Sequence, residues 1–128
     1  MDPATMFSVD HALPEEGAEA AIKAGTDLVL ATLQKLDLSQ VITTPFGDMP
    51  AGHFAMVPMA DMVIHRWDLA KGTNQNTNFE SNMAEVCIQV LTPALDMGRA
   101  SGFFGSEVSV PDSASVQDRL LGMSGRTP

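Results

Sequence analysis

Phe54-Ala55-Met56-Val57-Pro58-Met59-Ala60-Asp61-Met62-Val63-Ile64-His65-Arg66-Trp67-Asp68-Leu69-Ala70-Lys71 is the stretch that decides the fold. It reads as a helix from about Ala51 to Lys71. Gly72 is its natural stop, because glycine accepts the left-handed backbone at a helix end. Phe54, Met56, Val57, Met59, Met62, Val63, Ile64, Trp67 and Leu69 leave the helix apolar on nearly every side. A helix of that kind belongs inside a bundle or at a subunit interface. Pro58 predicts either a kink or a regular helix that starts near it.

Helices are expected on both sides. From Pro14 to Leu36, Ala18, Ala21, Ile22, Gly25, Val29, Leu33 and Leu36 recur at helical spacing, and Glu15, Glu16 and Glu19 suit the positive end of the helix dipole. A turn-rich loop follows through Pro50, with Val41-Ile42 as a short extended piece. A third helix is predicted from Phe79 to Arg99, with Met83, Val86, Cys87, Val90, Leu91, Ala94 and Leu95 inward and a kink or early end at Pro93. Phe103 to Pro111 reads as a loop or short strand. Ser115 to Met123 reads as a last short helix capped by Asp112 or Ser113. The fold class is therefore all-α in the main. The expected organisation is a tag or disordered tail over 1–13, a helical bundle domain over 14–102, and a C-terminal extended segment with a short helix, 103–128, packing on the bundle.

Length and composition agree with one globular domain. The chain has 128 residues, 45% hydrophobic and 18% charged, enough apolar material for a core. A net charge of -9 and a pI near 4.4, with no basic stripe, exclude nucleic acid and anionic membrane as partners. No apolar run is long enough to span a bilayer, and no signal peptide is expected. Cys87 is the single cysteine, so an internal disulfide is impossible and the cytoplasm is the default setting. Met1 to Thr5, followed by a second methionine at Met6, reads as a leader foreign to the natural frame.

Chemistry concentrates in one place. Asp61 and His65, four residues apart, stack on one helix face one turn apart, where a carboxylate and an imidazole can share a divalent ion. The plainer reading is a helical Asp–His pair that adds slightly to helix stability. His53 precedes His65 by twelve residues, turned by roughly 120° on an unbroken helix. It reads first as a surface residue, as does His11 in the N-terminal tail. Met62, Trp67 and Asp68 are candidates for a pocket beside the pair. Equally, Trp67 can be core, and Asp68 can orient Arg66 or Arg119. Cys87, on an apolar face without activating cations, reads as an inert buried thiol. Nucleophile-elbow, Walker and dinucleotide fingerprints are absent.

Asp61-x-x-x-His65-x-Trp67-Asp68-Leu69-Ala70 follows Thr44-Pro45-Phe46-Gly47-Asp48-Met49-Pro50 and precedes Phe104-Gly105-Ser106-Glu107-Val108-Ser109-Val110-Pro111, Asp118-Arg119-Leu120-Leu121 and Gly125-Arg126-Thr127-Pro128. In this order the motifs resemble an actinobacterial-type branch of the DinB / mycothiol-dependent maleylpyruvate isomerase N-terminal-domain superfamily. The resemblance implies a four-helix bundle holding one divalent metal ion, zinc first with nickel or iron as alternatives. Asp61 and His65 would be its second and third ligands. It also implies activation of water or a low-molecular-weight thiol. The departure is that the chain starts at what would be the family's third helix, so the histidine normally supplied by the second helix is missing.

Two functions are therefore weighed. One is a metal-dependent hydrolase or thiol-dependent transferase or isomerase acting on a small molecule through Asp61 and His65. The other is a truncated, non-catalytic helical domain with a relic ligand pair. A helix-in-groove binding module is a third possibility, given the apolar central helix. In either of the first two, a hairpin of Pro14–Leu36 and Ala51–Lys71 needs a second copy to complete four helices, so a homodimer is expected. Phe54, Val57, Val63, Ile64 and Trp67 would lie between subunits. The Asp61–His65 pairs would then form one site on the twofold axis or two sites completed in trans by His53 or His11.

Overall fold

The structure, a computed structural model, describes residues 15–44 and 47–128 and is mostly helical. Five α-helices are present among the described residues: α1 Ala18–Leu33, α2 Ala51–Gly72, α3 Ser81–Leu91, α4 Leu95–Ala100 and α5 Val116–Met123. A 3-10 turn, Thr92–Ala94, joins α3 to α4, so the helix predicted over Phe79–Arg99 is interrupted where Pro93 removes a donor. The start expected at Pro14 and the candidate His11 lie outside the described residues. The chain divides into two compact units, one reaching to Gly52 and one from His53 to Pro128. Segment 103–128 lies wholly within the second.

In the first unit, α1 buries no residue. Lys23 and Asp27, one turn apart, pair at 2.6 Å on its surface. The expected extended piece at Val41-Ile42 is one arm of an antiparallel hairpin, β1 Val41–Thr44 and β2 Gly47–Pro50, with Thr43 opposite Asp48. Thr43 Oγ1 donates to Asp48 Oδ1 at 2.8 Å and Thr44 Oγ1 to the Gly47 carbonyl at 2.7 Å. The orphan N–H groups at the start of α2 are met here: Ala51 donates to Gln40 O and Gly52 to Leu38 O.

The second unit holds the core. Ala60 and Ile64 of α2, Ala84, Cys87 and Leu91 of α3, and Leu120 of α5 are buried against one another. α2 is apolar on nearly every side in composition but not in placement. Ala60, Ile64 and Trp67 face inward, while Met62 and Leu69 face solvent. Ile64 and Trp67 are thus buried within the chain, and Phe54, Val57 and Val63 are half-buried, so a second copy is not what covers Ile64. The helix continues through Pro58, whose side is exposed.

Helix ends follow local chemistry. α2 closes on Asn74, at φ +55, not on a left-handed Gly72. Gln75 N–H reaches back to Ala70 O at 2.8 Å and Asn74 N–H to Lys71 O at 3.4 Å, the paired bonds of a Schellman end. α5 is capped by Ser115, not Asp112 or Ser113: its Oγ accepts from Asp118 N–H at 3.0 Å. Gln117 stitches α5 to the α2–α3 turn. Its Nε2 donates to Thr77 O at 3.1 Å, and its Oε1 accepts from Phe79 N–H at 2.7 Å. The strand considered for Phe103–Pro111 does not form; Val108 makes a single N–H bond to Gly122 O instead. No helix among the described residues is long and apolar enough to cross a membrane.

Candidate functional site on helix α2

Asp61 and His65 project from one exposed face of α2, one turn apart, as their spacing predicts. Their side chains are 63% and 60% exposed, and His65 Nε2 lies 3.4 Å from Asp61 Oδ1. The other ring nitrogen, Nδ1, lies 3.0 Å from Asp68 Oδ2. Asp68 is gripped in turn by Arg126. Nη2 donates to Oδ2 at 2.9 Å and Nε to Oδ1 at 3.2 Å, a two-pronged fork on one carboxylate. Arg126 Nη1 also donates to Ser124 O at 2.8 Å.

The end of α5 delivers that arginine. Arg126 N–H bonds to Leu121 O at 2.9 Å and Gly125 N–H to Gly122 O at 3.0 Å, again a Schellman end. Gly125 sits at φ +86, and a Cβ there would lie 3.1 Å from Gly105 Cα. Only glycine takes that conformation in that space without strain. The next residue is pinned as well: Lys71 Nζ donates to Thr127 O at 2.7 Å and lies 4.4 Å from the centre of the Trp67 ring.

The electrostatics follow from the clamp. The hydrogen bond from Arg126 holds the Asp68 carboxyl below its ordinary value of 3.8; burial opposes this, while the charge of Arg126 and the contact with His65 add to it. An ionised Asp68 only accepts hydrogen bonds, so a neutral His65 must carry its proton on Nδ1. The bare Nε2 then faces a second acceptor, Asp61 Oδ1. The 3.4 Å separation matches that of two ligands on one tetrahedral ion, but two exposed donors do not make a metal centre, and among the described residues no third His, Cys, Asp or Glu side chain joins them.

The other candidates are placed differently. His53 is on the same helix but twelve residues away, roughly 18 Å along the axis, and is exposed. It does not join the pair in this chain. Met62 is exposed beside the pair. Trp67 is core and lines no groove with it. Asp68 orients neither Arg66 nor Arg119: Arg66 donates to Asn78 O and lies over the Phe79 ring, 5.8 Å from its centre. Among the described residues, no group of three or more His, Cys, Asp or Glu side chains is placed to hold a metal ion. Two shallow grooves flank Phe79, lined by residues such as Val63, Arg66, Met83 and Gln117, and neither includes Asp61 or His65. Burial raises the Cys87 thiol above its ordinary value, consistent with an inert buried cysteine. The residue that sequence reasoning missed is Arg126. Its one local signal is a glycine–arginine pair just past the end of a short amphipathic helix.

Comparison with family models, with curated proteins and with solved structures gives no match.

Proposed function

We propose that the chain carries the ligand pair of a divalent-metal-dependent enzyme that activates water or a small thiol, as a hydrolase or as a thiol-dependent transferase or isomerase on a small molecule. The observation that supports this is the facing of Asp61 Oδ1 and His65 Nε2 at 3.4 Å while Nδ1 rests on Asp68. Metal-binding histidines are held in this manner, with the second ring nitrogen on a carboxylate that fixes the ring. The motif order that resembles the DinB / mycothiol-dependent maleylpyruvate isomerase superfamily adds to the reading. Zinc is the first expectation, with nickel or iron as alternatives.

Asp61 and His65 would hold the ion, and Asp68 keeps the imidazole turned toward it. When bound, such an ion lowers the pKa of a coordinated water or thiol, so that a nucleophile forms near neutral pH. Two donors do not complete a coordination shell. The proposal therefore includes a homodimer in which a second copy supplies the rest, His53 and His11 being the remaining histidines. Met62 and Leu69, 70% and 68% exposed on the face that carries the pair, offer apolar surface to that copy. A reducing, cytoplasmic setting suits the single thiol.

A second reading has one observation in its favour: no third metal-capable side chain joins the pair among the described residues. On that reading the chain is a non-catalytic dimeric helical domain, and Asp61–His65 is a surface pair. Metal analysis of the full chain equilibrated with zinc, nickel or iron separates the two, with His65→Ala and Asp61→Ala alongside. The expected result is bound metal in the parent chain, its loss in both variants, and esterase or thiol-transfer activity that disappears on chelation. Unchanged metal content in His65→Ala overturns the proposal, and a parent chain that binds none leaves the second reading.

A further inference from the structure

We infer that Arg126, on the C-terminal segment, is a positioning residue that decides which ring nitrogen of His65 is free to bind. This rests on the metal reading above for its consequence, but its geometric basis is independent of any ion.

Asp68 alone would not fix the imidazole. A half-exposed aspartate on a helix has several rotamers, and its carboxylate can turn away to water. Arg126 removes that freedom. Its Nε and Nη2 occupy Oδ1 and Oδ2 together, so the carboxylate plane is set by a rigid planar fork. The same Oδ2 lies 3.0 Å from His65 Nδ1. The guanidinium keeps Asp68 aimed, Asp68 keeps the proton of a neutral ring on Nδ1, and Nε2 is left with a free lone pair, 3.4 Å from Asp61 Oδ1. Arg126 itself has little room to leave, because Nη1 is tied to Ser124 O and its backbone N–H to Leu121 O. The fork reaches across 58 positions of sequence, so the state of a ring on α2 is set by the turn that ends α5.

The direct test reads the tautomer. Nitrogen-15 spectra of the His65 ring, in full-length metal-free protein at a pH where imidazole is neutral, should show a protonated Nδ1 and a bare Nε2. In Arg126→Met the two nitrogens should move toward an averaged mixture, while Arg126→Lys, which has no fork, should fall between. Zinc affinity, measured by titration on the same three proteins, should drop in Arg126→Met, by less than the roughly 10–100-fold usual when the partner that bonds the ligand itself, here Asp68, is lost. Circular dichroism confirms that the variants are folded. A parent ring protonated on Nε2, or a tautomer unchanged in Arg126→Met, overturns the inference. A parent chain with the expected tautomer that binds no zinc leaves the positioning role standing and sinks the metal reading instead.

Discussion

Replacing Gln117 by Glu changes one atom's chemistry and almost nothing of shape. The amide now donates through Nε2 to Thr77 O at 3.1 Å and accepts from Phe79 N–H at 2.7 Å. A glutamate keeps the acceptor but sets a carboxylate oxygen against the Thr77 carbonyl. One neutral hydrogen bond is lost, about 0.5–1.5 kcal/mol, and a half-buried carbonyl is left facing negative charge, about 1–3 kcal/mol more; roughly 2–3 kcal/mol is a fair central figure. For a cooperative unit of 60–100 residues that lowers Tm by roughly 8–24 °C. The carbonyl raises the folded-state pKa of the new carboxyl above its unfolded value of about 4.3. A raised folded pKa means that stability is full below the unfolded value and is lost as pH rises through the folded one. Protonated, the new side chain donates to Thr77 O much as the amide did. Thermal melts near pH 7 and pH 4, with Gln117→Met as a control that loses both bonds at every pH, are the assay. Equal melting of the parent and Gln117→Glu at pH 7, or a deficit that does not shrink on acidification relative to Gln117→Met, would refute the stitch between α5 and the α2–α3 turn.

Three further outcomes are expected. The Asp68 carboxyl is held below 3.8 by Arg126, so its contribution is present above that pH and is lost as pH falls through the lower folded value; Asp68→Asn should flatten this acid limb in urea melts. Leu120, fully buried between α2 and α3, should cost about 2–5 kcal/mol when cut to alanine, read as a drop in urea midpoint with unchanged slope. Gly125→Ala meets both a left-handed backbone and the Gly105 backbone at 3.1 Å; about 1–3 kcal/mol of stability should be lost in thermal melts.

Helix α2 was legible because its apolar residues are dense and its ends are punctuated, yet its two faces were not. Ile64 and Leu69 are chemically alike; one packs against α3 and α5 and the other meets solvent. That difference is created by where α3 and α5 land, which no local period encodes. Strand β2 was hidden for another reason: Gly47-Asp48-Met49-Pro50 has no β-branched residue, and its pairing is supported by the Thr43 and Thr44 hydroxyls across the turn. The helix ends at Gly72, as the sequence suggests, but the left-handed backbone that closes it falls on Asn74, since either residue can adopt that conformation. At the site, the i to i+4 relation of Asp61 and His65 is local geometry and was readable. The Asp68–Arg126 fork, 58 positions long, depends on tertiary packing and was not.

The turn that presents Arg126 also conceals a cleavage point. A trypsin-like protease must draw the basic side chain into its own pocket and extend the chain on both sides of the bond it cuts. Here the guanidinium is taken by Asp68 and Ser124 O, the backbone N–H by Leu121 O, and the carbonyl of the following Thr127 by Lys71. Cutting after Arg126 therefore waits for a local opening in which several of these bonds break together. The clipping rate, followed by mass spectrometry, then reports how often the grip on Asp68 is released in the otherwise folded protein, and any ligand that tightens His65 should slow it.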